Sequence, residues 1–237
     1  MNQIEAIILY SIDYKETGKL VYFYTEEGNK SMQVYGVKKM NSKYRYLVQN
    51  GTLVSLSTTN KTFPSLKEAT LLNDYEHIKQ DLIGYTTMNH ILELVRNTIA
   101  EENDHKKMFH FLKKVFAKMN QENKYYELLY IYELKLLHFL GYGLNFRSCS
   151  HCDMNNELVF HPSSGGLVCK EHLSFNQEYY TNDVINSLKT LYFIDLDQQE
   201  VPSIEAKMAN TIRHIIDLMY DEFISFHSKS LTILKQL

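Results

Sequence analysis

Residues 5–39 read EAIILYSIDYKETGKLVYFYTEEGNKSMQVYGVKK. Three β-rich runs lie here, Glu5–Ile12, Lys19–Thr25 and Ser31–Lys38, parted by Thr17-Gly18 and Glu27-Gly28-Asn29. Two more follow, Thr52–Thr58 and Leu66–Leu72, with Asn41-Ser42, Asn50-Gly51 and Phe63-Pro64 as separators. Five short strands in about 75 residues is the size of a small closed or nearly closed barrel, and the OB-fold is the commonest such design. An SH3-like barrel would show the same pattern; strand count does not separate the two.

From about residue 76 the apolar period changes from two to between three and four. Leu82, Tyr85, Met88, Leu92, Val95 and Ile99 mark one amphipathic helix. Phe109, Leu112, Val115, Phe116 and Met119 mark a second, capped by Asn103 or Asp104. Tyr125–Leu140 is apolar on nearly every side and reads as a central buried helix stopped at Gly141 or Gly143. After residue 175 the helical pattern resumes, with Ile204, Met208, Ile212, Ile215, Met219 and Phe223 on one face after Pro202-Ser203. Residues 147–173 have neither period. The expected organisation is α+β: a small N-terminal β-barrel over 1–75, OB-fold or SH3-like, then an α-helical domain over 76–147 and 173–237 with an aperiodic insert at 148–172.

Composition narrows the function classes. The 237 residues carry 25 Lys and Arg against 28 Asp and Glu, a net charge of −3, which excludes a uniformly basic nucleic-acid binder. The charge is unevenly spread. Residues 1–67 hold nine basic and five acidic side chains, whereas 176–237 hold five and nine, so an anionic partner is expected at the barrel. The opening MNQIEAIILYSIDY has no basic n-region and no cleavage site, and Glu127, Glu133 and Lys135 interrupt the longest apolar stretch. Neither a signal peptide nor a membrane span is expected. The reading is a cytoplasmic protein.

All three cysteines fall within residues 149–169, a poor disulfide framework. Cys149-x2-Cys152 and Cys169-x2-His172 are two ligand pairs sixteen residues apart. Each pair can sit on a tight turn with both side chains aimed at one ion, and two such turns give three sulfurs and one nitrogen around zinc. His151 and His161 lie in the same segment, and either could replace His172 as the fourth ligand. Four available ligands, with no H-x-E…C-x-x-C or H-E-x-x-H pattern, favour a structural ion over a catalytic one. The competing reading is three buried, unliganded cysteines. No nucleophile elbow, Walker loop or G-x-G-x-x-G occurs, and the remaining histidines are scattered, so no catalytic residue is assigned.

Lys38, Lys39, Lys43 and Arg45 cluster after the third run, with Tyr44 and Tyr46 interleaved; Lys15, Lys19, Lys30 and Lys61 could join the same side. Single-strand-binding barrels combine cations that track phosphates with rings that stack bases. An ordinary solvated loop is the bland alternative. Tyr22, Tyr24, Met32, Val34 and Gly36 share parity and could offer a stacking surface, although core packing is the default for strand aromatics.

These features together resemble the RecO family of bacterial recombination mediators, along essentially the whole chain. The opening barrel sequence carries Thr25 and Gly28 at one turn, then Gly36, Lys38, Lys39 and Ser42. Residues 132–152, YELKLLHFLGYGLNFRSCSHC, are similar to the family's E-L-x-L-L…G-Y…C-x-x-C run, here Glu133, Leu134, Leu136, Leu137, Gly141 and Tyr142, and Gly165-Gly166-x-x-Cys169 also matches. Position 172 departs, being His where zinc-binding relatives have a fourth Cys. The resemblance implies an N-terminal OB-fold β-barrel over 1–75, followed by an α-helical domain with a zinc knuckle inserted at 148–172, zinc being held by Cys149, Cys152, Cys169 and His172. It also implies a non-enzymatic protein that binds single- and double-stranded DNA and anneals complementary strands. It would help RecR load RecA onto DNA coated by single-strand-binding protein, whose C-terminal tail docks on the helical domain. Cytoplasmic action at the nucleoid follows. The physical requirement for the tail is a small apolar pocket rimmed by Lys or Arg; Lys106, Lys107, Lys113 and Lys114 are candidates, with the wet face of a helix as the simpler reading. Two rivals make different forecasts. A zinc-bearing protein–protein adaptor would associate with partners independently of salt and hold DNA weakly, and a metallohydrolase would lose turnover on chelation.

Overall fold

The computed structural model describes residues 3–152, 154–174 and 177–237. The chain packs as two compact units, Met1–Asn123 with Ser228–Leu237, and Lys124–His227.

The first unit is built on a five-stranded antiparallel sheet in the order β3-β2-β1-β4-β5. Its strands are β1 (Ile4–Tyr14), β2 (Gly18–Thr25), β3 (Gly28–Val34), β4 (Leu53–Thr58) and β5 (Leu66–Asn73). Gly18 opens β2 because a Cβ there would lie 2.9 Å from the Tyr14 carbonyl oxygen. At the next hairpin the Thr25 hydroxyl donates to the Gly28 carbonyl (3.1 Å) and accepts from the Glu27 N–H, while Gly28 takes φ +99°. Edges β3 and β5 meet at the parallel bridge Gln33–Ser65, with the Gln33 N–H donating to the Pro64 carbonyl at 2.8 Å. The result is an OB-like order whose seam is joined by a bridge and not by a ladder, so the sheet is not a closed barrel. Ala6, Ile8, Val21, Phe23, Met32, Val34, Val54 and Leu56 fill its interior.

The third strand stops at Val34, short of the expected Lys38. Gly36 takes φ +67°, and the Lys38 N–H bonds the Thr17 carbonyl at 3.0 Å in place of a strand partner. The hairpin register also corrects the parity argument. Tyr22 pairs with Ser31 and Val21 with Met32, so Tyr22 and Tyr24 face outward while Met32 and Val34 face the core.

Helices α1 (Glu76–Gln80), α2 (Leu82–Thr98) and α3 (His105–Gln121) complete this unit with the late α7 (Lys229–Leu234). Asp81 caps α2 through the Gly84 N–H (2.7 Å) and Asp104, not Asn103, caps α3 through the Lys107 N–H (3.1 Å). Buried Tyr24 reaches α3, its hydroxyl 3.1 Å from His105 Nδ1. The Glu93 carboxylate of α2 accepts from the Ser228 and Ser230 hydroxyls, both at 2.7 Å, and from the Lys229 N–H, which ties the start of α7 to α2.

In the second unit α4 (Tyr125–Phe139) packs with α5 (Asn182–Phe193) and α6 (Ala206–Phe223), and the short hairpin of β6 (Leu158–His161) and β7 (Gly166–Cys169) belongs to the insert. Leu128, Leu129, Ile131, Leu134 and Leu137 are fully buried, and Gly141 ends the helix with φ +94°. Among them the Glu133 side chain, 0% exposed, meets Arg213 Nη1 at 2.6 Å, and Arg213 also holds Asp217 at 2.9 Å. No helix among the described residues is long and apolar enough to cross a membrane. Removing one partner of a buried ion pair strands the other charge away from water. Arg213→Met should therefore cost about 3–5 kcal/mol, and adding Glu133→Leu should recover most of it. Urea denaturation followed by circular dichroism measures both; a loss under about 1 kcal/mol would put the pair no higher than a surface one.

Candidate functional site

The two predicted ligand pairs come together in the second unit. Cys149, Cys152, Cys169 and His172 place their possible ligand atoms within 4.8 Å of one another. Cys169 Sγ lies 3.2 Å from His172 Nδ1 and 3.9 Å from Cys152 Sγ, and Cys149 Sγ lies 3.7 Å from the same nitrogen. A tetrahedral site with 2.3 Å metal–sulfur arms has edges of about 3.8 Å, so these spacings fit a shared ion. They are far from the roughly 2.05 Å of a disulfide, and the cysteines are free thiols. The β6–β7 hairpin delivers Cys169 from its end, and the turn Lys170–His172 brings the imidazole back over it. Burial opposes ionisation of Cys149. Donation from the backbone N–H groups of Cys169, His151 and Cys152 outweighs it and holds the thiol below its usual range, toward the ligand form.

The other two histidines of the segment are engaged elsewhere. His161 Nδ1 lies 2.8 Å and His151 Nε2 3.1 Å from the Ser164 hydroxyl. The cluster can hold a metal ion through three sulfurs and one nitrogen, with no carboxylate among its members. About one divalent ion per chain is expected in the purified protein. Elemental mass spectrometry should find it lost from Cys169→Ser and kept in His151→Ala and His161→Ala; retention in Cys169→Ser would contradict the site.

The cationic residues lie in the first unit. Lys19 pairs with Val34, Gln33 bridges Ser65, and the Lys38 N–H bonds Thr17. The β1–β2 turn, the segment after β3 and the β4–β5 connection therefore share one end of the sheet. Lys15, Lys38, Lys39 and Lys61 belong to these segments, with Lys19 beside them at the start of β2, alongside exposed Tyr35, Met40 and Phe63. Lys15 Nζ sits between two rings, 5.2 Å from the Tyr14 centroid and 5.8 Å from that of Tyr35. Lys43 Nζ lies 4.9 Å from the Tyr44 centroid, and Arg45 begins the single turn Arg45–Val48. Lys30 stands apart. It pairs with Glu27 opposite Phe23, roughly 13 Å along the strand from Lys19 at 3.3 Å per residue.

Asp13 is the feature that sequence reasoning passed over. Its carboxylate takes Lys38 Nζ at 2.7 Å and Lys19 Nζ at 3.1 Å, and bonds from Lys38 and then Lys19 hold it below the usual carboxylate range. Lys38 is thus not an unencumbered cation: one acid gathers two lysines and leaves a net positive charge. No local motif signals a pairing across 25 residues.

The chain matches the family described as Recombination protein O N terminal over residues 1–75, and Recombination protein O C terminal over residues 79–232. It belongs to the RecO family. It is 27% identical over 238 residues to the DNA repair protein RecO of Streptococcus equi subsp. zooepidemicus, covering 98% of this chain and 92% of that relative. With the DNA repair protein RecO of Lactococcus lactis subsp. cremoris it is 28% identical over 234 residues, covering 96% and 92%. The two RecO matches adjoin at the start of the helices, where β5 gives way to α1.

Proposed function

We propose that this protein is a DNA-repair and recombination mediator that binds single- and double-stranded DNA and anneals complementary strands. The observation that carries the reading is the gathering of Lys15, Lys19, Lys38 and Lys39 at one end of an OB-like sheet in a chain of the RecO family. Annealing breaks no covalent bond, so the protein acts without enzymatic chemistry. It must offset the repulsion between two phosphate backbones while leaving base edges accessible, and a local cationic surface does this by releasing condensed counterions. In this reading residues 1–75 contact DNA, with Lys38, Lys39, Lys43 and Arg45 on phosphates. Residues 76–147 and 173–237 form the helical domain that carries the partner sites.

The ion held by Cys149, Cys152, Cys169 and His172 is zinc in a structural role, since three thiolates and an imidazole suit it. It folds the insert 148–172. RecR is the partner in loading RecA onto DNA coated by single-strand-binding protein, and the work is done in the cytoplasm at the nucleoid. The acidic, apolar tail of single-strand-binding protein calls for an apolar pocket with a cation at its rim. A cavity of about 490 Å³ lined by Phe139, Leu144, Tyr192 and Phe193, with Lys135 beside it, meets that requirement.

The test is annealing of complementary oligonucleotides coated with cognate single-strand-binding protein. The wild type should anneal them and the Lys38/Lys39/Lys43→Glu variant should not. Asp13→Asn should move the other way: by freeing Lys19 and Lys38 it should tighten DNA binding several-fold and steepen its salt dependence. Annealing by the triple variant would move the DNA site elsewhere, and no annealing by either protein would favour the adaptor.

A further inference from the structure

The outer face of the sheet carries a row of planar groups stacked across strands. Tyr10 and Tyr22 are direct partners in the β1–β2 ladder, with ring centroids 4.3 Å apart and planes inclined by 5°. The Arg96 guanidinium of α2 lies 4.1 Å from the Tyr10 centroid. Since Tyr22 occupies one side of the Tyr10 ring, the guanidinium covers the other. The row therefore runs Arg96, Tyr10, Tyr22.

The next position in the row belongs to β3, where Ser31 is the partner of Tyr22. Strands are spaced at about 4.8 Å, close to the separation of the two stacked tyrosines, so the row has room for one more ring just where the sequence supplies a hydroxymethyl group. Among the described residues the Tyr22 ring contacts one other ring, that of Tyr10. Both tyrosines and Ser31 are half-buried, in contrast to Tyr24 two residues on, which is fully buried and reaches α3. The stack thus stands where the covering by helices ends. It also lies on the β2–β3 face, the face on which OB-folds take oligonucleotides. Along the same face the next pair is Ile12 and Leu20, and the cationic end of the sheet begins one residue further on.

We propose that the open face of Tyr22, above Ser31, is a stacking site for one unpaired nucleobase. Arg96 and Tyr10 act behind it, holding the Tyr22 ring upright so that no order has to be imposed on binding. This inference rests on the DNA-binding reading and adds a discrimination to it. A base in a duplex is already stacked on both faces and cannot enter without being extruded, so the site favours single strands. Phosphate contacts by lysine make no such distinction.

The experiment compares three probes of equal length, an oligothymidylate, the same backbone without bases, and a duplex. Tyr22→Leu should weaken oligothymidylate binding by roughly tenfold, within the usual range for one base on one ring, and leave the abasic strand and the duplex unchanged. Tyr22→Phe keeps the ring and should bind as wild type, which separates stacking from misfolding. The chain contains no tryptophan, so Tyr22→Trp introduces a single indole that can be excited apart from the tyrosines, and oligothymidylate should quench it while the other two probes should not. Equal losses for all three probes, or no loss for any, would overturn the stacking site while leaving the DNA-binding reading in place. Wild-type protein that binds none of the three probes would overturn both.

Discussion

The pairing of Thr25 with Gly28 sets the register of the β2–β3 hairpin, and most of what the first unit can do follows from that register. The Thr25 hydroxyl bridges the turn and Gly28 takes the positive φ that closes it. With the pairing fixed, Val21 and Phe23 point into the sheet interior with Met32 and Val34, and Tyr22 points out beside Ser31. A slip of one residue would exchange the two faces, exposing the apolar set and burying the tyrosine. The same register brings the end of β3 beside the β1–β2 turn, where the Lys38 N–H finds Thr17 and its ammonium finds Asp13. Core and cationic surface are thus two consequences of one turn.

The second unit depends on different physics. Its central helix buries a carboxylate, Glu133, whose charge is met by Arg213 from α6, itself 14% exposed and bridged onward to Asp217. The insert has a small core of its own, Cys149, Val159, Val168 and Cys169, with Cys152, Leu158 and Leu173 packed against it. Phe160 adds a stacked contact with Phe146 outside that core, and a metal ion bound by the four side chains would cross-link the insert further. Gly166 serves this packing, since a Cβ there would lie 2.6 Å from the Asn145 carbonyl oxygen.

Much of this was legible in the sequence because it is written locally. Period-two runs between Gly- and Asn-rich turns located the five strands, and the ligand pairs at x2 spacing named the four residues that the fold gathers. Asp104 and Gly141 did at the helix ends what their chemistry suggested. What escaped is non-local. Asp13 meets Lys38 across 25 residues, and Arg96 covers Tyr10 from a helix that follows the whole sheet. Shared parity misled for Tyr22 and Met32 because parity carries over from one strand to the next only when the loop register is known. Helix α7 gave little periodicity in its six residues; its start is held by Glu93, far away in sequence.

In the proposed reading nucleic acid meets the first unit, on the β2–β3 face and the adjoining cationic end. Amide hydrogen–deuterium exchange with and without a single-stranded oligonucleotide locates that contact. Protection should concentrate in residues 10–24 and 31–45. Protection confined to residues 124–227, with the sheet unchanged, would contradict the claim.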